Sequence, residues 1–140
     1  MGTGKDLWNQ FDTLLNKQHW TGATSLFASD AVYVEPGGRH EGREAIHAFL
    51  EAGGTTFPDL YGETSLVIEE GDIVIGEWTY RATHTGPLAL GDGTEIPATG
   101  KTLVHPGVSV CQIMDGKFVI MRDYFDSASM MTQLGLMPST

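Results

Sequence analysis

A change in the spacing of apolar residues restricts the fold of this 140-residue chain more than any other feature. Before residue 53, apolar residues recur at helical spacing. The first such stretch holds Leu7, Trp8, Phe11, Leu14 and Leu15. After residue 62 they alternate with polar residues, which is typical of strands with one buried face. We therefore predict helices in the first part of the chain and a sheet in the second.

Turn residues divide the two parts into elements. In the first part we predict the N-terminal helix, a helix over 21–28, a short strand over 31–35 and a helix that stops at Gly53-Gly54. In the second part we predict strands over 63–70, 73–85, 101–114 and 117–125, with a glycine-rich loop over 86–100. Asp115-Gly116 forms the last hairpin turn. Asp126 caps a final helix over 127–134, which Gly135 and Pro138 close.

These elements predict one α+β domain over residues 1–140. Long antiparallel strands with few covering helices should curl around those helices. We expect a cone-shaped barrel: a strongly curved, mainly antiparallel sheet wrapped around three N-terminal helices, with a short C-terminal helix. Such a cone can leave a pocket between the helices and the concave face of the sheet.

Charge and hydropathy exclude several classes of partner. The chain has 8 basic and 18 acidic residues, a net charge of −10. Phosphate binding requires clustered Lys and Arg, so we expect neither nucleic acid nor an anionic membrane as partner. No apolar run approaches the ~20 residues of a membrane span, and the N-terminal residues lack the order of a signal peptide. We therefore expect a cytoplasmic protein.

The residues that commonly bind metals are few and poorly spaced. Cys111 is the single cysteine, so an intrachain disulfide and a cysteine-built zinc site are excluded. In mid-strand it is typical of a small buried apolar residue. The scattered residues His40, Glu41, Glu44 and His47 lack a ligand spacing, and we expect no metal site.

Asp123 is the best candidate for proton-transfer chemistry. Alternation over 117–125 places it on one face with Val119, Met121 and Phe125. Burial among apolar neighbours would raise the pKa of its carboxyl group, as in a general acid or base. The alternative is a surface aspartate paired with a nearby arginine, Arg122 or Arg81.

Several other side chains are open to two interpretations. The strand over 73–85 places Trp78, Tyr80 and His84 on one side. The two aromatic residues form a pocket wall or ordinary core. His84, where the strand meets the loop, is a structural or rim histidine rather than a catalytic one. Glu35 ends a strand, where it is either solvated or turned into the pocket mouth by Gly37-Gly38. His105 shares a face with Ser109 if Pro106-Gly107 does not shift the register.

The order of short motifs resembles a known family. The motifs are Leu26-Phe27-Ala28-Ser29-Asp30-Ala31-Val32, Tyr33-Val34-Glu35-Pro36, Gly42-Arg43-Glu44-Ala45-Ile46, Phe57-Pro58-Asp59-Leu60, Thr83-His84-Thr85-Gly86, Ala98-Thr99-Gly100-Lys101, Asp115-Gly116-Lys117, Arg122-Asp123-Tyr124-Phe125-Asp126 and Gln133-Leu134-Gly135. From about Leu7 to Pro138 the chain is similar to the SnoaL-like polyketide cyclases of the nuclear-transport-factor-2-like superfamily. That superfamily also includes ketosteroid isomerase and limonene epoxide hydrolase, and it changes chemistry freely.

The resemblance implies site residues, with departures. The catalytic aspartate of the cyclases and the basic aspartate of the epoxide hydrolases both correspond to Asp123. The cyclases' assisting histidine corresponds to Ser109, and an asparagine of that family, or the isomerase's general base, to Glu35. The isomerase's oxyanion-hole tyrosine and acid correspond to Phe11 and Ser109. The arginine and aspartate of the epoxide hydrolases correspond to Trp78 and Tyr80.

Three functions follow from these residues and this resemblance. The leading one is a cofactor-free cyclase that closes a ring in a small polyketide-type substrate by carboxylate acid/base catalysis, with Asp123 and Glu35 as catalytic residues. The alternatives are an epoxide hydrolase or epoxide-opening cyclase, and a non-catalytic domain that binds small molecules. The expected partner is a small apolar or polyketide-like molecule. The predicted substrate-binding residues are Trp78, Tyr80, His84, Ser109, Phe125, Phe11 and Met121.

We also expect a homodimer. Both faces of the last strand carry apolar residues, Phe118 and Ile120 as well as Val119 and Met121. One layer of helices covers only one face, so the outer face of the sheet is left for a second copy. The family resemblance implies the same.

Overall fold

The computed structural model describes residues 3–90 and 92–137. The helices are α1 (Gly4–Asn16), α2 (Trp20–Thr24), α3 (Arg43–Thr56) and α4 (Ser127–Gln133). The strands are β1 (Phe27–Glu35), β2 (Gly38–Glu41), β3 (Tyr61–Glu70), β4 (Ile73–Thr83), β5 (Leu88–Ala89), β6 (Glu95–Ile96), β7 (Thr102–Met114) and β8 (Lys117–Phe125). Within these two stretches, no helix is long and apolar enough to span a bilayer.

The α+β fold predicted from the sequence is confirmed. In the described residues, six strands form one sheet in the order β2-β1-β8-β7-β4-β3, and β5 pairs with β6. Every pair in the large sheet is antiparallel except β1 with β8. The sheet is open, with β2 and β3 at its edges, so the barrel of the prediction is not closed. The helices α1 and α3 pack on its concave face.

A capping box at Thr3 and Asp6 determines where α1 begins. The hydroxyl of Thr3 accepts a hydrogen bond from the backbone N–H of Asp6, and the Asp6 carboxylate accepts one from the N–H of Thr3. This capping box satisfies two backbone donors that the helix itself leaves unpaired. The apolar stripe of α1, including Trp8 and Phe11, is buried against the sheet. The core therefore lies between the helices and the concave face.

Two predicted helix ends are wrong, and one strand was not predicted. The helix predicted over 21–28 ends at Thr24, because Phe27 is fully buried and already pairs with β8. The glycine-rich turn after Glu35 leads into β2, which was not predicted. Helix α3 continues through Gly53-Gly54 to Thr56. Gly54 is needed there for close packing, since a Cβ atom on it would lie 2.2 Å from the indole of Trp20.

A bulge in the last hairpin reverses part of the predicted alternation. The register between β7 and β8 shifts between Gln112 and Ile113. Because of that shift, Phe118 and Met121 are both buried in the core, although strict alternation put them on opposite faces. Phe118 therefore belongs to the core and not to the outer face. Asp123, beyond the bulge, keeps its predicted side.

The convex face of the sheet carries exposed apolar side chains. The register places Ile68, Ile75 and Val110 in one row across β3, β4 and β7, and Leu66 in the same row as Val108. The row of Leu66 and Val108 ends on β8 at Tyr124. Leu66, Ile68 and Tyr124 are all about half exposed. A patch of this kind is typical of an interaction surface.

Candidate active site

A cavity of about 170 Å³ lies between the helices and the concave face of the sheet. Aromatic rings form most of its wall, and among the described residues Asp123 is the one carboxylate in it. The lining residues in the described part of the chain are Trp8, Phe11, Leu15, Trp20, Tyr33, Phe49, Leu50, Gly53, Phe57, Leu60, Trp78, Tyr80, Leu103, His105, Ser109, Asp123, Phe125 and Met130. No lysine or arginine is among them. A cavity of this composition suits a small, largely apolar molecule.

Three neighbouring side chains hold the carboxylate of Asp123 in place. Ser109, its partner across β7 and β8, donates a hydrogen bond of 2.5 Å from Oγ to Oδ1. The hydroxyl of Tyr33 on β1 donates to Oδ2. Trp78 on β4 donates from Nε1 to Oγ of Ser109 over 2.9 Å. The indole thus fixes the serine, and the serine and tyrosine fix both oxygens of the carboxylate.

Burial raises the pKa of Asp123 to about 6. The hydrogen bonds from Ser109 and Tyr33 oppose this rise, and the negative charge of Glu35 adds to it. A carboxyl group with this pKa is mostly ionised at neutral pH and still basic enough to accept a proton. The alternative of an arginine-paired surface aspartate is not what the structure shows, since Arg81 and Arg122 are exposed and Asp123 faces the cavity.

Glycines make room for the aromatic side chains of this wall. Gly107 lies opposite Trp78 in the register of β4 and β7, and a Cβ atom on it would lie 2.4 Å from the indole. The indole therefore lies across β7 and reaches Ser109. In the same way, a Cβ atom on Gly62 would lie 2.2 Å from the ring of Tyr80. Two glycines thus permit the two aromatic side chains of β4 to lie flat against the sheet.

A sequence model described as SnoaL-like polyketide cyclase matches residues 5–134. The chain belongs to this family. No curated protein sequence matches it significantly.

Three solved structures have the same fold as this SnoaL-like chain. AclR from Streptomyces galilaeus, a candidate hydroxylase, is 24% identical with a TM-score of 0.81, covering 97% of this chain and 87% of AclR. A protein of ketosteroid-isomerase-like fold from Catenulispora acidiphila, in complex with trimethylamine, is 18% identical with a TM-score of 0.79, covering 96% of both chains. IdmH from Streptomyces antibioticus, a candidate polyketide cyclase, is 22% identical with a TM-score of 0.79, covering 96% and 99%. At these identities the likeness establishes the fold alone.

Most of the residues predicted for the SnoaL-like site meet at the cavity. Its lining includes six of them: Asp123, Trp78, Tyr80, Ser109, Phe125 and Phe11. Met121 lies outside the lining and is buried in the core. Its neighbour across β7 and β8 is Cys111. Burial raises the pKa of the Cys111 thiol, which agrees with an unreactive core residue.

His84, which the sequence predicted to bind substrate, lies outside the cavity lining. The side chain is fully buried, and its Nδ1 atom lies 3.0 Å from the hydroxyl of Thr99. Its ring also packs 5.8 Å from that of Phe57. The histidine therefore fastens the loop that follows β4, because its backbone N–H and C=O both bond across that loop, to Lys101 and Gly100.

Glu35 lies behind the cavity wall. It shares a face of β1 with Tyr33, two residues away. Its carboxylate is only 8% exposed, and its Oε2 atom lies 3.8 Å from Nε2 of His40. It does not line the cavity in the described residues, but it is close enough to raise the pKa of Asp123. The sequence left Glu35 either solvated or in the pocket mouth, and the structure places its carboxylate in neither position: it is buried behind the cavity wall.

Tyr33 and His105 complete the site, and the sequence analysis assigned neither a role. Burial and the charge of Asp123 raise the pKa of Tyr33 well above its usual value, so it stays a proton donor. Alternation with Glu35 is the signal that could have placed Tyr33 on the inner face. His105 packs edge-on against Phe125 at 4.2 Å, and burial lowers its pKa, which keeps the ring neutral at pH 7.

The described residues offer no site for a metal ion. Within residues 3–90 and 92–137, no three His, Cys, Asp or Glu side chains come together as metal ligands do. The chemistry that the cavity offers is that of one basic carboxylate with hydrogen-bond donors around it.

Proposed function

We propose that the protein is a cofactor-free cyclase in which Asp123 moves the proton of an intramolecular aldol closure. The observation that carries this proposal is the carboxylate of Asp123 in an aromatic cavity, held on both oxygens by Ser109 and Tyr33. A pKa of about 6 for this group suits a general base at neutral pH. Membership of the SnoaL-like polyketide cyclase family supports the same reaction class.

The reaction needs little charge from the protein. Asp123 removes a proton from a carbon flanked by two carbonyl groups, and the substrate delocalises the resulting enolate. The enolate carbon forms a bond to a ketone or aldehyde carbon of the same molecule, whose oxygen becomes an alkoxide. The protonated carboxyl group of Asp123 returns the proton to that oxygen. The product is an isomer of the substrate, and Asp123 is regenerated.

The other residues of the cavity position the substrate. Tyr80 stays protonated, since burial and the charge of Asp123 hold its pKa well above the usual value. Neutral His105 offers a second donor for a substrate oxygen. The rings of Trp78 and Phe125 orient the substrate by stacking, which lowers the entropy cost of ring closure. Glu35 acts through Asp123, by raising the proton affinity of its carboxylate.

A direct assay tests the proposal. The wild-type protein is incubated in D2O with an aromatic precursor that carries several carbonyl groups. Deuterium uptake at the acidic carbon is followed by NMR, and ring closure by mass spectrometry. We expect Asp123→Asn to slow both steps by about 10²–10⁴-fold, the usual contribution of a general base. The control is Asp126→Asn, because Asp126 caps α4 and lies outside the cavity lining. Wild-type rates in Asp123→Asn would refute the proposal.

Opening of an epoxide is the second candidate function. One observation favours it: Asp123 and Tyr33 together present a base and a donor that can hold a water molecule. AclR, the candidate hydroxylase, shares the fold. The positions that correspond to the acid and the arginine of limonene epoxide hydrolase are Tyr80 and Trp78, so a carboxylic acid for the epoxide oxygen is missing there.

We also propose that the protein works as a homodimer that binds a small molecule. The convex face of the sheet, with Leu66, Ile68 and Tyr124 about half exposed, is the surface that a second copy would cover. The trimethylamine complex of the Catenulispora acidiphila protein supports small-molecule binding by this fold.

A further inference from the structure

The charged side chains close to the cavity are carboxylates. Asp123 lies in its wall, and Glu35 lies behind that wall, close enough to raise the pKa of Asp123. Asp12 on α1 adds a third carboxylate behind Tyr80, whose pKa its charge helps to raise. The basic side chains at the same level of the sheet, Arg81 and Arg122, are exposed on the opposite face. His105, a basic ring in the lining, is held neutral by burial, which lowers its pKa.

Aromatic faces meet at a corner beside this carboxylate. The rings of Trp78 and Tyr80 lie 4.8 Å apart at an angle of 54°, and those of Trp78 and Phe125 lie 6.3 Å apart at 58°. Phe125 follows Asp123 by two residues on the same face of β8. All three rings line the cavity, and the faces of aromatic rings are the surfaces on which proteins bind alkylammonium groups.

We propose that this cavity selects a ligand that carries a positive charge, a protonated or quaternary alkylammonium group, and excludes ligands that carry a carboxylate or phosphate. The ammonium group lies against the aromatic corner formed by Trp78, Tyr80 and Phe125, with Asp123 beside it. A buried carboxylate without a cationic partner is costly, and a bound cation supplies that partner. A second anion in the same cavity would meet the charge of Asp123 and no lysine or arginine among the lining residues that the structure describes.

This inference rests on the proposed function, because it names the substrate class of the same site. In the aldol closure, the negative charge moves from Asp123 to the enolate. A cation fixed on the substrate stabilises that charge before and after the transfer, in a cavity whose described lining has no lysine or arginine to do so. The protein's overall charge of −10 also attracts cations toward the cavity mouth.

Three probes of similar shape test the inference by calorimetry at constant ionic strength. They are tetramethylammonium, which is cationic, tert-butanol, which is neutral, and pivalate, which is anionic. We expect tetramethylammonium to bind at least about tenfold more tightly than tert-butanol, the ratio that a partly desolvated cation–π site gives, and pivalate not to bind. Equal or tighter binding of tert-butanol or pivalate would overturn the inference.

Variants of the cavity residues test whether the cation binds in this cavity. We expect Asp123→Asn and Tyr80→Leu each to lower the preference for tetramethylammonium at least about threefold, since one removes the charge and the other a ring face. The control Tyr61→Leu changes an exposed tyrosine at the start of β3, outside the cavity lining, and leaves the preference intact. A preference that survives both cavity variants contradicts the inference, and Tyr80→Leu serves alone if Asp123→Asn does not fold.

The outcome is separable from that of the proposed function. If cations bind preferentially but Asp123→Asn exchanges deuterium as fast as the wild type, the proposed function is wrong and the binding preference stands. If deuterium exchange depends on Asp123 but the probes show no preference for the cation, only the present inference is wrong.

Discussion

The indole of Trp78 lies across Gly107, its partner on β7, and this close approach allows it to reach Ser109. Any other residue at position 107 would place a Cβ atom where the six-membered ring of the indole now lies. Ser109 in turn donates a hydrogen bond to Asp123. Gly107 therefore affects the position of the carboxylate indirectly, through the indole and then the serine hydroxyl.

Gly107→Ala is expected to disturb the site without touching a ligand. The added Cβ atom would lie 2.4 Å from the indole, so Trp78 must move and its hydrogen bond to Ser109 is lost. We expect a loss of about 1–3 kcal/mol in the free energy of unfolding, as for other overpacked sites, together with weaker binding in the cavity. Urea denaturation and tryptophan fluorescence measure the two effects. The control is Gly38→Ala, where a Cβ atom meets nothing within 4 Å, and unchanged behaviour of Gly107→Ala would contradict the role of the close contact.

Asp123→Asn is expected to stabilise the protein at pH 7.5. In the folded state the pKa of Asp123 is about 6, above its ordinary value of 3.8. The folded protein therefore holds this proton more tightly, and stability falls as pH rises through the window from about 4 to 6. The asparagine variant has no carboxyl group to ionise, so its free energy of unfolding does not fall in this window. At pH 7.5 that free energy should exceed the wild-type value by on the order of 1–3 kcal/mol, and it should change less with pH. Thermal unfolding between pH 4 and 8 measures it. A variant less stable than the wild type at pH 7.5 would show that the carboxylate is not under strain.

The neighbours of Asp123 should shift the pH profile in opposite directions. Removing the charge of Glu35 by Glu35→Gln lowers the pKa of Asp123, so the acidic limb of kcat/KM moves to lower pH. Removing a donor by Tyr33→Phe raises the pKa of Asp123, so the same limb moves to higher pH. Rates measured from pH 4.5 to 8 on the deuterium-exchange substrate give both shifts. Shifts in the same direction would mean that the limb does not report Asp123.

Alternation was enough to place Asp123, and it failed where the strand is irregular. The sequence has the period-two pattern through 117–125, so Asp123 and Phe125 could be assigned to one face. The bulge that takes Phe118 into the core inserts one residue opposite Ile113, and nothing in the local sequence marks it. Strand registers depend on contacts distant in the chain, so alternation within one strand cannot predict them.

The hydrogen bonds of the site could not be predicted from the sequence either, because they also depend on strand register. Trp78 and Ser109 are 31 residues apart, and their contact depends on the register of β4 with β7 and on Gly107 between them. Tyr33 meets Asp123 across the one parallel pair in the sheet, 90 residues away along the chain. The family resemblance indicated Asp123 as the position of the catalytic aspartate but did not indicate which side chains hold it.

Ile68→Glu is expected to convert a dimer into a monomer. Ile68 is 47% exposed on the convex face, in a row with Ile75 and Val110, and a buried glutamate there would lack a partner. Light scattering at micromolar concentration should give a dimer for the wild type and a monomer for this variant. Leu90→Glu is the control, since Leu90 is also 47% exposed but lies outside the large sheet. A monomeric wild type would contradict the proposed interface.

The choice between ring closure and epoxide opening depends on the acid that the site can supply. Opening an epoxide requires a proton for the departing oxygen, and Tyr80 holds its proton too tightly, because burial and nearby carboxylates raise its pKa well above the usual value. An aldol closure does not require a separate acid, since its substrate stabilises the anion and Asp123 itself carries the proton to the new alkoxide. We therefore expect measurable turnover of aromatic polycarbonyl precursors, and hydrolysis of limonene-type epoxides that is slow or absent.

Both substrate classes are offered to the wild type and to Glu35→Gln, and products are followed by chromatography with mass spectrometry. Ring closure should survive in Glu35→Gln with a shifted pH profile, because Glu35 lies behind the wall and acts only on the pKa of Asp123. Fast epoxide turnover that is lost in Glu35→Gln would mean that this carboxyl group reaches the substrate as an acid. The cyclase assignment would then give way to an epoxide-opening enzyme with two carboxyl groups, one on β1 and one on β8.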